Sequence, residues 1–591
     1  MSSAFFTPLE EIPKIHERAR QAYRTGKTKS VAFRKEQIAQ LGYLLKDNEQ
    51  RFIDALKQDL GRPSLETMFF DFAAVYVEVR TAYDNVEKWT KPQKAEFSLN
   101  FFAMSPKLRA EPKGTILIIG PFNVPVFTIL SPLVGAMAGG NAAVLKPSEQ
   151  TPAYSALLAE LFPQYLDNDL YHVINGGIPE TTQILELQWN HILYTGNGRV
   201  GRIIAQAAAK HLTPLTLELG GKNPVVVDPK CDLKVAARRI LWGRFSNAGQ
   251  ICLAPEYVLV PERFQDELVE AMKEVYESFY PDGPEKSDSY SRIVSEAHTA
   301  RIKRLIDESA GTIIFGGAAD VSQKYIAPTL VKDVKCDDAL MQEEIFGPVL
   351  PVIPVKSIDD AIAFINERDH PLAVYVFSAD KAFQNKVFDN TESGAAVVNE
   401  TLISCGVPGL PMGGVGASGY GYYTGKHMFD EFTHLRVSID NPGWVDKVAF
   451  GFRYPPYKPS GLKQMQALSP TLPSRPGKCP SHLASGKRWG FWLGFVLIGV
   501  ASLVLTGPAL SLLKYVRTSY EIERNAVGND NGRHLGPLRE LLADESRKEI
   551  KRPHVHYPGH VLDTDTQSAR RGGQRGSACL TGPRLAALRV Y

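Results

Sequence analysis

Cysteine is scarce in this chain of 591 residues, with six, at positions 231, 252, 336, 405, 479 and 579. No two are spaced as CxxC, and none joins a histidine cluster at zinc spacing. That excludes a structural zinc module and argues against a disulfide-stapled secreted domain. A reducing compartment is expected, and no metal. Net charge is scarce too. The 67 basic and 64 acidic side chains leave +3, which gives no broad footprint for nucleic acid. Met1 to Gly26 mixes Glu10, Glu11, Lys14, Glu17 and Arg18 with apolar residues and holds no run that reads as a signal peptide.

What the chain does contain is apolar: 44% of residues, against 22% charged. It is too apolar to be disordered throughout and too long for one core, so about two or three domains are expected. Charge is unevenly placed. Residues 514–591 carry 14 basic and 9 acidic side chains, net +5, so the preceding body sums to −2. This tail shows little periodicity and reads as basic and disordered.

Residues 1–82 read as helical, with apolar residues at helical spacing from Val31 to Arg80. From 113 onward, short apolar runs alternate with amphipathic stretches. Strands are expected at Thr115–Ile119, Ala142–Leu145, Tyr171–Ile174, His191–Tyr194, Leu215–Leu217 and Pro224–Val227. Helices are expected at Arg199–Lys210 and Leu233–Ser246. The alternation resumes at Thr312–Phe315, Leu350–Pro354, Ala373–Phe377 and Ala395–Val398. Strand–helix alternation of this kind gives parallel sheets covered on both faces, hence two α/β domains in series.

Seven prolines between 454 and 488 read as a stiff linker outside any core. Trp489–Leu513 follows, 25 residues without a charge. As a helix it would span ~37 Å at ~1.5 Å per residue, enough for a hydrocarbon core of ~30 Å. Lys487 and Arg488 flank one end, Lys514 and Arg517 the other. A transmembrane helix is expected there.

Four places carry candidate chemistry. Cys252, in Asn247-Ala248-Gly249-Gln250-Ile251-Cys252, follows a helical run and a small-residue turn that could lift it into a cleft. A lone cysteine is either a small core residue or a nucleophile for carbonyl carbon. Glu218, before Gly220-Gly221, ends a strand, where parallel-sheet folds place their sites; a cap or surface acid would read the same. Asn123 follows the strand Thr115–Ile119 and is either a turn residue or an amide that donates to a developing oxyanion. Gly196-Asn197-Gly198-Arg199-Val200-Gly201 matches GxGxxG between a strand and a helix, a weak signal alone that marks a helix N-terminus for phosphate. Lys146-Pro147-Ser148-Glu149 ends another strand and could offer a cation and an acid to ribose hydroxyls.

The order of these segments is more specific than any one of them: Asn123, Lys146…Glu149, Gly196…Gly201, Glu218-Leu219-Gly220-Gly221, Gly249…Cys252, then Glu344-Ile345-Phe346-Gly347-Pro348. Over roughly residues 5–450 the chain resembles the NAD(P)-dependent aldehyde dehydrogenase superfamily. Ala254-Pro255-Glu256-Tyr257, the short N-terminus, and Pro411…Gly416 through Gly425-Lys426-His427 resemble its class 3, fatty-aldehyde branch. The resemblance to anchored members, fungal ones among them, implies a fold of two α/β domains with a small bridging and oligomerisation element. It places an NAD-binding domain at 1–85 and 111–218, a catalytic domain at 219–420, and the bridge at 86–110 and 421–450.

It also implies roles. Cys252 is the nucleophile, and the Asn123 amide with the Cys252 N–H holds the oxyanion. Glu218 activates the hydrolytic water. Lys146, Ser148 and Glu149 hold the adenosine ribose. Gly196, Asn197, Val200 and Gly201 face the pyrophosphate, and Glu344 and Phe346 place the nicotinamide ribose and ring. The cofactor is NAD, favoured over NADP by Glu149, although class 3 relatives often use both. The implied substrate is a medium- or long-chain aliphatic aldehyde, or else an apocarotenoid aldehyde. The alternative of another class is a catalytically silent, membrane-tethered binding protein, which the intact Cys252, Glu218 and Asn123 oppose. A homodimer is implied, anchored in a membrane with its catalytic body in the cytosol. Three positions depart from the family pattern: Phe122 stands where Trp is usual, Met412 where Phe is usual, and Gly198 where Thr or Ser is usual.

Overall fold

A computed structural model describes residues 6–473. Residues 6–458 belong to one compact unit. Its first part is helical, as expected: Ile12–Arg24, Val31–Asp47, Glu49–Leu60 and Ala73–Trp89. Ser30 starts the second of these, its Oγ accepting the Phe33 N–H at 3.3 Å. Gly61 ends the third in the left-handed conformation, φ 60°.

A six-stranded sheet follows, in the spatial order Gly419–Tyr420, Leu215–Leu219, His191–Gly196, Thr115–Ile119, Ala142–Lys146, Tyr171–Val173. All pairings are parallel except that of Gly419–Tyr420. Every residue of Thr115–Ile119 and Ala142–Lys146 is buried, as expected of strands covered on both faces. The order reverses around Thr115–Ile119, with Ile119 opposite Lys146 on one side and Tyr194 on the other. Ligands of open parallel sheets bind beyond the carboxyl ends at such a reversal. Lys146, Gly196 and Glu218 sit at or one residue short of those ends, with Gly120 just past one.

A second sheet has seven strands: Thr312–Phe315, Thr329–Lys332, Val349–Val355, Pro255–Pro261, Asn223–Val227, Ala373–Phe377 and Ala395–Val398. Only Thr312–Phe315 is antiparallel to its neighbour. Thr329–Lys332 and Pro255–Pro261 were not anticipated from the sequence. The first is four residues long, and the second carries Glu256, an acid buried within the apolar strand. A third sheet is antiparallel, of Gln93–Lys94, Lys107–Pro112 and Thr433–Ser438.

Beyond Lys458 the described part of the proline-rich stretch includes a helix. Pro459–Leu468 is a helix, and none of its residues is buried. Pro459 heads it, where a missing N–H costs nothing, and no proline recurs until Pro470. Among the described residues, no helix is long and apolar enough to cross a membrane. The expected transmembrane segment 489–513 and tail 514–591 lie outside the described residues.

Candidate active site

The Cys252 segment is built from its helix outward. Asp232 caps Leu233–Phe245 by accepting the Val235 N–H at 3.1 Å. Past the last turn the chain reverses through three consecutive left-handed residues, Asn247 (φ 50°), Ala248 (φ 50°) and Gly249 (φ 75°). Such a turn throws the next residues away from the helix axis, and Cys252 lines a cavity of about 1310 Å³.

The same cavity is lined by Asn123, Lys146, Ser148, Glu149, Gly196, Asn197, Val200, Glu218, Glu344 and Phe346. Gly201 is the exception among the residues named from the sequence. It is buried between helix and sheet, where a Cβ would stand 3.0 Å from the Leu219 side chain. Gly201 therefore permits helix–strand contact rather than facing a ligand.

Glu218 is buried, and its Oε1 has no hydrogen-bond partner. Burial pushes its pKa up to about 7, opposed by a hydrogen bond with the Cys252 thiol. Burial and the Glu218 charge in turn raise the Cys252 thiol well above its ordinary value. The two groups thus share a hydrogen bond at the cavity surface, the arrangement expected of a nucleophile beside a base poised near neutrality.

In the same cavity, the Glu344 carboxylate lies against the Gly220 backbone, where any Cβ would be 2.3 Å from Oε2. Oε1 accepts the Gly221 N–H at 3.3 Å. Burial, and next the charge of Glu256, push Glu344 up to about 8. Glu149 forms an ion pair with Lys146 at 2.9 Å, with the lysine buried and the carboxylate partly exposed. Asn197 caps the helix Gly198–Ala209, its Oδ1 accepting the Val200 N–H at 3.0 Å. The helix N-terminus opens on the cavity beside Lys146. A cavity of this size, with a helix N-terminus, a lysine and a carboxylate at successive strand ends, fits an extended dinucleotide.

Several residues that shape the site carry no signal in the linear sequence. Glu256 read only as a branch marker. Its carboxylate accepts the N–H groups of Ile345 (2.8 Å) and Phe346 (3.2 Å), and it is held in turn by Arg244 (2.6 Å) and Lys222 (3.1 Å). Arg301 donates to the carbonyls of Glu344 (3.3 Å) and Ile345 (2.6 Å) from across the chain. Together these fix Phe346 in a left-handed conformation, φ 47°. His298 lines the cavity with its ring 5.7 Å from that of Phe122. Among the described residues, no group of His, Cys, Asp and Glu could hold a metal ion.

Comparison with known proteins agrees with this geometry. The dimeric NADP-preferring aldehyde dehydrogenase of Canis lupus familiaris is 42% identical over 448 residues, 76% of this chain and 98% of that protein. Aldehyde dehydrogenase family 3 member A2 of Mus musculus is 43% identical over 439 residues, 74% of this chain and 90% of its own. Among solved structures, the substrate-bound state of Staphylococcus aureus AldH superposes with a TM-score of 0.72 at 36% identity, covering 82% of this chain and 99% of that one. Mycobacterium tuberculosis aldehyde dehydrogenase complexed with NAD+ gives a TM-score of 0.66 at 26% identity, covering 74% and 91%. The profile of the aldehyde dehydrogenase family matches residues 7–438. With Cys252 and the buried carboxylate of Glu218 paired in one cavity, and with the family profile spanning residues 7–438, the chain belongs to the aldehyde dehydrogenase family.

Proposed function

We propose that this enzyme oxidises medium- or long-chain aliphatic aldehydes to carboxylic acids, with NAD(P) as cofactor. The observation that carries the chemistry is the pairing of Cys252 with Glu218 in one cavity. The Cys252 thiol gives up its proton to Glu218 and attacks the aldehyde carbon, forming a thiohemiacetal. The Asn123 amide and the Cys252 N–H take the charge on oxygen. Bound NAD(P) supplies the acceptor for the hydride that leaves that carbon. Lys146, Ser148 and Glu149 would hold its adenosine ribose, the N-terminus at Asn197 and Gly198 its pyrophosphate, and Glu344 and Phe346 its nicotinamide end. Glu218 then releases the thiol's proton to solvent, and as a carboxylate it removes a proton from the water that hydrolyses the thioester left on Cys252. A carboxyl with a pKa near 7 can do both jobs at neutral pH.

The lipophilic substrate rests on the uncharged stretch Trp489–Leu513 with cations at both ends. A protein anchored there would meet aldehydes that partition into the bilayer. In this reading, the catalytic body faces the cytosol, where thiols stay reduced. A homodimer is proposed as well, in line with the relative named as dimeric. The test is formation of reduced cofactor with a panel of straight-chain aldehydes of increasing length, an apocarotenal included. A kcat/KM that rises with chain length supports the aliphatic reading. Selective use of the apocarotenal replaces the substrate, and no turnover with any aldehyde refutes the reading.

A further inference from the structure

Arg62 is a fully buried guanidinium with no place in the chemistry above. It directly follows Gly61 at the end of the helix Glu49–Leu60. All three of its nitrogens are used. Nη1 donates to Asp71 Oδ2 at 2.6 Å, Nε to Asn247 Oδ1 at 3.0 Å, and Nη2 to the Asn123 carbonyl. Asp71 uses its other oxygen to accept the Phe127 N–H at 2.9 Å, in the first turn of the helix that starts just after Asn123.

Asn247 continues the connection. Its Nδ2 donates to the Asn123 carbonyl and to the Gln250 carbonyl, 3.0 Å each. Gln250 answers by donating to the Asn247 carbonyl at 3.0 Å and accepting the Val294 N–H at 2.9 Å. Glu66 accepts the Asn247 N–H at 3.0 Å. The Asn123 main chain and the turn that carries Cys252 lie more than a hundred residues apart in sequence. They are tied to each other through one carbonyl, and Arg62 holds that carbonyl from behind.

We propose that Arg62, with Asn247, is the positioning residue of the oxyanion site: it sets the spacing between the Asn123 amide and the Cys252 N–H. The proposal rests on the reading of those two groups as oxyanion donors. Burying a guanidinium is costly even when it is fully paired, and apolar packing often serves stability as well. What a planar fork adds is direction, three donors fixed relative to one another, which a lysine cannot reproduce. Donors to a developing oxyanion must be placed to within ~0.5 Å, so a loosened carbonyl would cost rate before it cost the fold.

The test uses the full chain with Arg62→Lys, Asn247→Gly, Asn123→Ala and the double variants. Lysine keeps a charge for Asp71. Glycine accepts the φ of 50° at 247 while deleting all three hydrogen bonds of the side-chain amide, and it carries the test alone if Arg62→Lys does not fold. Two rates are read: the burst of NADH with an aldehyde, and cleavage of 4-nitrophenyl acetate by Cys252, which needs no dinucleotide. Expected is a fall of both rates by roughly 10–100-fold in each single variant, with KM for NAD within about twofold of the parent. In the Asn123→Ala background, either change should add no more than about twofold. Wild-type ester cleavage in both single variants, or full multiplication of effects in the double variants, overturns the proposal. A parental rate for Asn123→Ala removes the oxyanion reading itself, and the proposal falls with it by that separate result.

Discussion

Gly249 and Gly347 meet backbone to backbone: a Cβ on Gly249 would stand 2.2 Å from the Gly347 carbonyl oxygen. This contact joins the turn that delivers Cys252 to the segment that presents Glu344 and Phe346. The two segments are thereby held in backbone contact, and no side chain intervenes that could be repacked.

Gly249→Ala should therefore damage both stability and rate. The φ of 75° alone costs an alanine about 1–2 kcal/mol. The clash is with backbone, which cannot swing away. A loss of at least about 2 kcal/mol in chemical denaturation is expected, together with a fall in kcat. A variant with unchanged midpoint and activity would show that the two segments are free to part.

Cys252→Ala should abolish aldehyde oxidation by several orders of magnitude while dinucleotide binding, read by quenching of protein fluorescence, survives. Near-normal turnover in the purified variant would remove Cys252 from the chemistry.

Glu218 titrates near 7, so the deacylation rate should rise with pH through that value as the carboxyl loses its proton. Glu218→Gln should lose this dependence. It should give at most a burst of about one NADH per site followed by slow turnover, and a missing burst would assign Glu218 to thiol activation first. Stability follows the same group. Its folded pKa lies above the unfolded value of 4.5, so the folded state binds the extra proton between about 4.5 and 7, and relative stability is lost as pH rises through that window. Glu218→Gln should accordingly gain in melting temperature over the parent at pH 8 and not at pH 4. Equal differences at the two pH values would contradict the burial of an ionising group.

Glu149 is partly exposed and balanced by Lys146. Glu149→Gln removes a carboxylate near the proposed adenosine ribose and leaves the cation. The ratio of kcat/KM for NADP over NAD should rise by about 5–20-fold, corresponding to roughly 1–2 kcal/mol of relieved repulsion. An unchanged ratio would place the ribose elsewhere.

Truncation after Lys458 should yield a soluble, active enzyme, since every residue of the cavity lies before it and the described part of the remainder buries nothing. The full chain should pellet with membranes and resist carbonate extraction. On sealed organelles, added protease should digest the catalytic body. Its protection would put the active site on the lumenal side.

The sequence by itself determined most of the strands and the α/β alternation, though not Thr329–Lys332 or Pro255–Pro261. Continuous apolar runs such as Thr115–Ile119 and Ala373–Phe377, short and rich in β-branched and aromatic residues, read as strands buried on both faces, and their alternation with helices implies parallel sheets. The site motifs were legible for the same reason: the strand ends that carry Lys146, Gly196 and Glu218 are marked locally by glycine and charge. Tertiary structure decided what each motif residue does. Gly201 belongs to the same fingerprint as Gly196, yet it packs on Leu219, because the helix there leans on the sheet. Glu256, Arg301, Arg62 and Asn247 act through partners between about 45 and 185 residues away. No periodicity or spacing encodes such pairings, because hydrogen bonds between distant segments form only once the chain has closed. The pKa of Glu218 is likewise a property of the fold: the residue type supplies a carboxyl, and only its removal from water brings that carboxyl to neutrality.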